Sequence, residues 1–477
     1  MRENWSDVRE GGGEEKAERM EFEGDDGRTR TGTVWTATAH AITAIIGSGV
    51  LALPWSVAQM GWIFGPFTLI ACAFVTYYTA MLLSDCYRTA DPVNGKRNHT
   101  YMDVVSSCLG PRDVFICAIA QYALLWGAMI GYTITAATSM MEINRSNCFH
   151  YKGHDAHCNT SGNLYIILFG IVELVLSQFP NLEKITIISV VAAAMSFIYS
   201  FVSLLLCLLK LASNHSLHGT ILGIKTGGDI SPSMKVWYSF QALGNIAFAY
   251  TYSMLLIEIQ DTLKSPPPEN QTMKRASLNG IGVTTIFYVS VGCVGYAAFG
   301  NNAPGNVLTG FYEPFWLIDI ANVAVVVHLI GAFQVFGQPI YAKYEEYLSK
   351  KWPESAFFHK QHKLPLPFCK TRAFRFTFCK LLLRSAFVVL TTLIAMMLPF
   401  FNAIVGLLGA IAFWPLTVHF PVSMYMAQAK MRKGQWRWLM LRCLSAVAFI
   451  VSAMAAVGSI ADIARRLKHV AIFKTKL

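Results

Sequence analysis

A glycine-serine-glycine run, Gly47-Ser48-Gly49, lies inside an apolar stretch that also contains Pro54. Glycine weakens a helix, and Pro54 lacks the N–H that would bond the carbonyl of Val50. An interrupted helix exposes backbone N–H groups at a positive dipole end, which suits a carboxylate. The alternative is a glycine face for close helix packing. We favour the interruption because the glycine pair and the proline coincide, and we expect Gly47, Ser48 and Gly49 to bind a carboxylate, with the Ser48 hydroxyl as an extra donor.

A second apolar stretch, about residues 235–260, has no proline but holds several polar side chains: Gln241, Asn245, Tyr250, Thr251, Tyr252 and Ser253. Polar groups at membrane depth need partners or water, so we favour a cavity wall over hydrogen bonding between helices. If this stretch is also unwound, carbonyls around Phe248, Ala249 and Tyr250 become free to accept hydrogen bonds from an ammonium group.

Aromatic side chains are candidates for a side-chain pocket beside these stretches. Tyr122 and Trp126 lie four residues apart and therefore share a helix face. Packing in the core is the slightly favoured interpretation of this pair. The alternative is that both residues, together with Tyr252, shape the pocket for a substrate side chain.

Few ionisable groups lie inside the apolar stretches: His40, Glu142, Glu173, Glu258, Asp319, His328, His419 and Asp462. Glu142, Glu258 and Asp462 lie near the ends of their stretches, where we interpret them as interfacial charges. Histidine has an ordinary pKa of about 6.5 and can carry a proton near neutral pH. His40 and His328 are therefore candidates for proton coupling, with Asn245 as a further one. The alternative for each histidine is a buried ring that donates to a carbonyl.

The composition places these residues in a membrane protein. Of 477 residues, 54% are hydrophobic and 14% are charged, whereas a soluble protein carries about 25% charged residues. The mean hydropathy is +0.42. The formal net charge of +11 is explained by basic loops on one side of a membrane, so we expect no nucleic-acid partner. No cysteine and histidine set has the spacing of a zinc site, and we expect no metal or cofactor.

We predict an all-α polytopic membrane protein with about eleven transmembrane helices, since a spanning helix needs about 20 apolar residues. Residues 1–30 are predicted to be a disordered cytoplasmic tail, residues 31–465 the membrane domain and residues 466–477 a C-terminal tail. The predicted helices are 33–60, 62–87, 113–142, 163–180, 184–211, 235–260, 276–300, 314–342, 376–397, 400–427 and 436–462. Helices one and six occupy corresponding places in two five-helix halves, which points to a transporter site between inverted repeats.

The loops between the predicted helices indicate the orientation. Lys and Arg concentrate in the loops that share a side with the N-terminus, which we therefore place in the cytoplasm. Eleven helices then put the C-terminus outside, although the last residues are basic. The predicted loop 143–162 becomes extracellular and contains Cys148 and Cys158, for which we expect a disulfide rather than two free thiols. Glycosylation sequons in predicted outer loops begin at Asn144, Asn159 and Asn214.

Several segments of the sequence together indicate a family: Thr31-Gly32-Thr33-Val34-Trp35, Ala39-His40, Ile46-Gly47-Ser48-Gly49-Val50-Leu51, Ile257-Glu258-Ile259-Gln260-Asp261-Thr262-Leu263, Gly295-Tyr296-Ala297-Ala298-Phe299-Gly300 and His328-Leu329-Ile330-Gly331-Ala332-Phe333-Gln334-Val335. They resemble plant amino acid permeases of the amino acid/auxin permease family. The resemblance covers about residues 29–465. Many relatives carry an acidic residue where this chain has Asn245.

This family is similar in fold to the bacterial leucine transporter, so the resemblance implies a leucine-transporter-like 5+5 inverted repeat, broken helices 1 and 6, and one additional helix. It also implies proton-driven import of a range of amino acids across the plasma membrane, with protons as the coupling ion. The expected partners are amino acid substrates and the lipid bilayer.

Other functional classes lack their sequence signatures. Val294-Gly295-Tyr296 superficially resembles a potassium filter, but it lies within a full-length helix. An intramembrane enzyme would need His-Glu-x-x-His, Gly-x-Ser-x-Gly or paired acids on one helix, and an ATP-driven pump would need Gly-x-x-x-x-Gly-Lys. A nutrient sensor with a transporter fold is harder to exclude, and its expected signature is a long cytoplasmic signalling domain.

Overall fold

The structure is a computed structural model that describes residues 29–153, 158, 161–179, 186–227, 230–355, 357, 360, 362–366 and 369–468. The predicted tails therefore lie almost wholly outside the described residues. What the structure describes is mainly helical, as the hydropathy of the sequence predicts.

In the first half of the chain, the described residues form six helices. They are α1 (Val34–Ile45), α2 (Leu53–Asp85), α3 (Tyr101–Cys108), α4 (Pro111–Lys152), α5 (Gly162–Leu176) and α6 (Thr186–Asn214), with a 3₁₀ turn at Ser48–Ala52 before α2. Thr33 caps α1, because its hydroxyl accepts from the Thr36 N–H and the Thr36 hydroxyl accepts from the Thr33 N–H.

In the second half, eight helices lie within the described ranges. They are α7 (Pro232–Ala249), α8 (Ser253–Gln260), α9 (Glu269–Phe299), α10 (Phe315–Lys351), α11 (Phe378–Met397), α12 (Phe401–Ala412), α13 (Phe420–Gln428) and α14 (Trp436–Leu467), with a π-helical segment at Phe413–His419 between α12 and α13. Short 3₁₀ turns at Gly300–Asn302 and Val307–Gly310 follow α9.

Two antiparallel hairpins lie in the connections between helices. Strand β1 (Arg88–Thr89) pairs with β2 (Lys96–Arg97) after α2. Strand β3 (His362–Leu366) pairs with β4 (Cys369–Phe376) between α10 and α11. The sequence analysis assigns no strand to either loop, because these segments are polar or basic and short.

Nine helices among the described residues are long and apolar enough to cross a membrane, and Gly162–Leu176 is a shorter apolar helix. Exposed apolar side chains follow one side of α2, where lipid would contact them: Phe64, Phe67, Ile70 and Phe74. These features make the chain a multi-pass membrane protein, whereas the exact count of eleven spans stays a prediction.

Some predicted helix ends are wrong. Helix α4 continues to Lys152 rather than ending at residue 142, and α10 continues to Lys351 rather than to residue 342. Hydropathy detects where a helix leaves lipid, but a helix needs only backbone hydrogen bonds to continue into water. Cys148 therefore lies on a helix and not in an open loop.

Gly61 separates the first and second predicted spans inside α2. Its φ is +80°, which is non-helical and favours glycine. A loop segment lies against this point, because the Trp62 N–H donates to the Thr220 carbonyl at 3.2 Å and the Ile224 N–H donates to the Ala58 carbonyl at 3.0 Å. The bend thus gives residues 220–224 backbone partners that a regular helix could not offer.

Packing buries the 3₁₀ turn between α1 and α2, since each residue of Ser48–Ala52 is buried. Helix α9 lies along both of them, α10 lies along α4 and α6, and α7 lies between α12 and α14. Fully buried side chains such as Leu51, Leu53 and Tyr288 fill the space around the 3₁₀ turn. The glycine-serine-glycine run is therefore held at the middle of the helix bundle.

Candidate substrate cavity

Regular helical structure is interrupted between α1 and α2. Helix α1 ends at Ile45, Ile46 and Gly47 are extended, and a 3₁₀ turn begins at Ser48. The interruption leaves the Ile45 carbonyl without a helical partner, and the Tyr288 hydroxyl of α9 donates to it at 2.6 Å. Tyr288 is not among the site residues predicted from the sequence, because nothing in a single sequence links it to residue 45.

A second interruption lies between α7 and α8, at residues 250–252. Here the Thr251 N–H donates to the Phe248 carbonyl at 3.0 Å, and the Tyr252 N–H donates to the Tyr250 carbonyl at 3.1 Å. The Phe248 and Tyr250 carbonyls are thus already bonded within this segment. An ammonium group would have to share these acceptors with the backbone.

The two interruptions touch each other. A Cβ atom built on Gly49 would lie 3.2 Å from the Ala249 Cα and 3.2 Å from the Phe248 Cδ1, whereas nothing lies within 4 Å of a Cβ built on Gly47. Gly49 therefore permits the close approach of α7, and Gly47 borders open space.

That open space is a cavity of about 430 Å³ next to both interruptions. It is walled by α1, α4, α6, α8 and α10 together with the two interruptions. Seven of the residues proposed from the sequence line it: His40, Gly47, Ser48, Gly49, Phe248, Ala249 and His328. A cavity of this size holds a small organic molecule.

Thr251, one of the polar residues for which a cavity wall was favoured, also lines it. Other lining residues were not assigned to a site from the sequence, and they include Thr43, Tyr132, Glu258 and Phe336. The Tyr132 and Phe336 rings meet edge to face at 5.4 Å between centroids, so α4 and α10 together form an aromatic wall. Tyr132 carries no motif of its own, and only the helix packing reveals its place.

Four aromatic candidates lie outside the lining of this cavity. The Tyr250 hydroxyl bonds the Thr285 hydroxyl at 3.3 Å, and the Tyr252 hydroxyl donates to the Ser277 hydroxyl at 2.9 Å. The Trp126 ring N–H donates to the Thr391 hydroxyl at 3.1 Å, and Tyr122 is half-buried against the core. These contacts agree with packing between helices, the interpretation favoured for Tyr122 and Trp126.

The candidates for proton coupling occupy three different settings. His40 lies on an exposed part of α1. The Nδ1 atom of His328 lies 2.8 Å from the Ala192 carbonyl, which can only accept, so this nitrogen carries a proton. Asn245 is buried away from the cavity, where its Nδ2 donates to Asn402 Oδ1 at 3.0 Å.

Below the cavity, the start of α1 is joined to the end of α8. Arg30 Nη2 lies 2.7 Å from Asp261 Oδ1, and the Tyr87 hydroxyl donates to the same oxygen at 2.7 Å. Backbone bonds run from the Gly32 N–H to the Thr262 carbonyl and from the Lys264 N–H to the Gly32 carbonyl. Burial alone would raise the pKa of Asp261, but the hydrogen bonds from Tyr87, Arg30 and His99 outweigh it and hold that pKa below its ordinary range.

The predicted disulfide between Cys148 and Cys158 is present, with 5.9 Å between the Cα atoms. Of the sequon asparagines, Asn144 lies on α4 and Asn159 lies outside the described residues. Asn214 is exposed at the end of α6, and its Nδ2 donates to the Ala298 carbonyl at 3.2 Å.

The sequence matches the family model described as "Transmembrane amino acid transporter protein" over residues 30–464. The chain belongs to the transmembrane amino acid transporter family. It is 53% identical over 460 residues to amino acid permease 8 of Arabidopsis thaliana, covering 94% of this chain and 95% of that one. It is also 53% identical to amino acid permease 2 of the same plant, covering 94% and 92%. The family is one of transporters, so this member is not an enzyme.

Solved structures agree with this family at the level of the fold. The crystal structure of MhsT in complex with L-phenylalanine matches with a TM-score of 0.53 at 12% identity, covering 91% of this chain and 100% of that one. A nucleobase-cation-symport-1 family transporter, in a closed conformation with bromovinylhydantoin bound, matches with a TM-score of 0.50 at 15% identity, covering 93% and 95%. The predicted leucine-transporter-like fold is thereby confirmed.

Proposed function

We propose that this permease family member is a proton-coupled symporter that imports a range of amino acids across the plasma membrane by alternating access. The observation that carries the proposal is the meeting of two helix interruptions at one cavity. Gly47, Ser48 and Gly49 line the cavity at the first interruption, and Phe248 and Ala249 line it beside the second. The named relatives at about half identity support amino acids as the substrate class.

The chemistry of the cavity suits the shared head of amino acids. Backbone N–H groups at the first interruption bind the α-carboxylate, and backbone carbonyls at the second bind the α-ammonium. Because both charged ends are bound by backbone, the side chain is left to the wall that Tyr132 and Phe336 form. Selectivity then depends on the fit of the side chain, which allows several substrates.

The orientation follows from the basic loops, with the N-terminus in the cytoplasm and the C-terminus outside. The cavity is lined by α1 before its interruption and by α8 after the other, and these are the cytoplasmic halves in that orientation. This arrangement corresponds to a cavity on the inner side. Alternating access then requires a second state in which the same interruptions face outward.

Electrical recording in injected oocytes tests the proposal. The twenty amino acids are applied at about pH 7.5 and about pH 5.5, a range that spans the ordinary pKa of histidine. We expect inward currents that increase as the external pH falls and that persist when sodium is replaced by choline. Currents that require sodium and ignore pH would refute proton coupling, while leaving amino acid transport intact.

The head-group assignment is tested with modified substrates in the same cells. An amino acid methyl ester lacks the carboxylate and should produce no current. Ser48→Ala should weaken transport only modestly, because the backbone N–H groups remain. Transport of the ester as well as of the free acid would show that no carboxylate is bound at this interruption.

A further inference from the structure

Glu258 lies in the wall of the cavity, which its place near the end of an apolar stretch did not predict. It is on α8, a helix that begins at Ser253 directly after the second interruption. Its side chain is exposed and lines the cavity, as His328 of α10 does. A carboxyl group at this position meets the substrate path rather than the membrane surface.

Within the described residues, Glu258 has no ion pair and no hydrogen bond, and the nearby cations are engaged elsewhere or exposed. Arg30 contacts Asp261, Lys274 contacts Asp85, and both Arg88 and Arg97 contact Glu269. Lys264 and Arg275 are exposed and form no ion pair with Glu258. Asp261, three residues further along the chain, is by contrast surrounded by donors.

The other titratable groups that face the cavity are few. Helix α1 presents His40, α10 presents His328 and α4 presents the Tyr132 phenol, whereas α6 presents Ala192 and Ala193 among the side chains that the structure describes. One ring nitrogen of His328 is bonded to the Ala192 carbonyl. Asn245 has an amide side chain, which does not titrate in this range. Glu258 is therefore the carboxyl group that this cavity offers.

An uncompensated carboxylate beside apolar walls is costly when water is absent, and a proton removes that cost. Water that enters when the cavity opens makes the ionised form favourable again. The same group can thus bind a proton in a closed cavity and lose it in an open one. Ionisable residues at membrane depth commonly serve such proton transfers.

We propose that Glu258 carries the coupling proton and releases it to the cytoplasm, an inference that rests on the proposed proton-coupled function. A hydronium ion in the cavity gives its proton to the carboxylate, which leaves water and a neutral carboxylic acid. The reverse transfer to cytoplasmic water breaks the same O–H bond after the cavity opens inward. The protein is unchanged after one cycle, and one proton has moved with the substrate.

The test uses the full-length protein in liposomes, with wild type, Glu258→Gln and Glu258→Asp. Glu346→Gln is the matched control, because Glu346 is an exposed acid outside the cavity. Two assays are compared for L-alanine: accumulation driven by an alkaline interior, and exchange of external label for internal alanine at equal pH. Exchange needs no net proton release, whereas accumulation does.

We expect Glu258→Gln to lose accumulation and to retain measurable exchange. Glu258→Asp should recover accumulation in part, since it restores a titratable group, and Glu346→Gln should resemble wild type in both assays. Accumulation by Glu258→Gln at the wild-type level would overturn the inference. Loss of exchange together with accumulation in Glu258→Gln would also overturn it, because the residue would then be needed to move the substrate itself.

Two further outcomes separate this inference from its alternatives. If Glu258→Gln loses uptake of L-lysine but accumulates L-alanine normally, the carboxylate binds cationic side chains and does not carry the proton. If the wild-type protein exchanges alanine but never accumulates it in response to a proton gradient, the proposed proton coupling fails first. In that case the role assigned to Glu258 fails with it.

Discussion

At the residue scale, the two glycines of the first interruption differ in their surroundings. Gly49→Val should push the interruptions apart and abolish uptake, because its Cβ would crowd Ala249 and Phe248 at 3.2 Å. Gly47→Ala should reduce uptake far less, since its Cβ enters open space. Uptake of labelled alanine, normalised to surface biotinylation, measures both variants. Normal transport by Gly49→Val would contradict the close approach of α7.

The same scale shows where inference from residue type fails. Tyr250 and Tyr252 attract attention as polar aromatics in an apolar stretch, yet their hydroxyls bond Thr285 and Ser277 between helices. Glu258 was interpreted as an interfacial charge, because hydropathy places it near the end of a span. A single sequence gives the depth of a residue but not the direction in which its side chain points.

At the element scale, the contact between α1 and α8 depends on a buried ion pair. The Arg30 and Asp261 side chains are 6% and 15% exposed, and removing one partner of such a pair costs about 3–5 kcal/mol. Asp261→Asn should therefore lower the melting temperature of the detergent-solubilised protein. Glu346→Gln is the control, because ion pairs between exposed side chains contribute little to stability. Equal melting of both variants would show that Asp261 does not hold these helices together.

The charge state of this pair bears on the pH dependence of transport. The pKa of Asp261 is lowered from its ordinary value of about 3.9. A carboxyl group whose pKa is lowered by folding stabilises the folded protein above the ordinary pKa. That stabilisation is lost as the pH falls through the pKa of the folded state. Asp261 therefore stays ionised between about pH 5.5 and pH 7.5, so a pH response in that range has to come from another group.

The bend at Gly61 gives another prediction for this scale. Alanine at residue 61 is strained at a φ of +80°, and its Cβ would meet the backbone of Ile221 and Gly223. Gly61→Ala should lower stability by more than about 1 kcal/mol. Gly282→Ala in the helical, open part of α9 should instead raise it slightly, as helix propensity predicts. Thermal melting compares the two variants. An unchanged melting temperature for Gly61→Ala would show that alanine is not strained at residue 61.

At the scale of the whole molecule, the disulfide gives a test of the proposed orientation in the membrane. Cys148 and Cys158 should resist an impermeant maleimide on intact cells until a reducing agent is added, because both thiols are bonded. Mass spectrometry of the labelled peptides measures this result. Strong labelling of both cysteines without reduction would contradict the bridge. Labelling that needs both reduction and permeabilised cells would reverse the proposed orientation.

The fold was largely predictable because lipid imposes one rule, that apolar stretches of sufficient length become helices. The interruption at Gly47-Ser48-Gly49 was predictable from glycine and proline chemistry in the same way. The lengths of α4 and α10 were not predictable, because both helices continue beyond the lipid, where hydropathy no longer marks their ends. The roles of Tyr132 and Tyr288 in the site depend on which helices become neighbours, and no local pattern contains that information.

The contacts that join the chain around Arg30 to the segment after α8 have a mechanical consequence. Gly32 exchanges backbone hydrogen bonds with Thr262 and Lys264, so the chain enters the bundle beside the point where α8 ends. A force applied to the chain before Arg30 reaches α1 and α8 together, and these helices form two walls of the cavity. A fluorescent protein fused before Arg30 would therefore be attached next to two walls of the cavity.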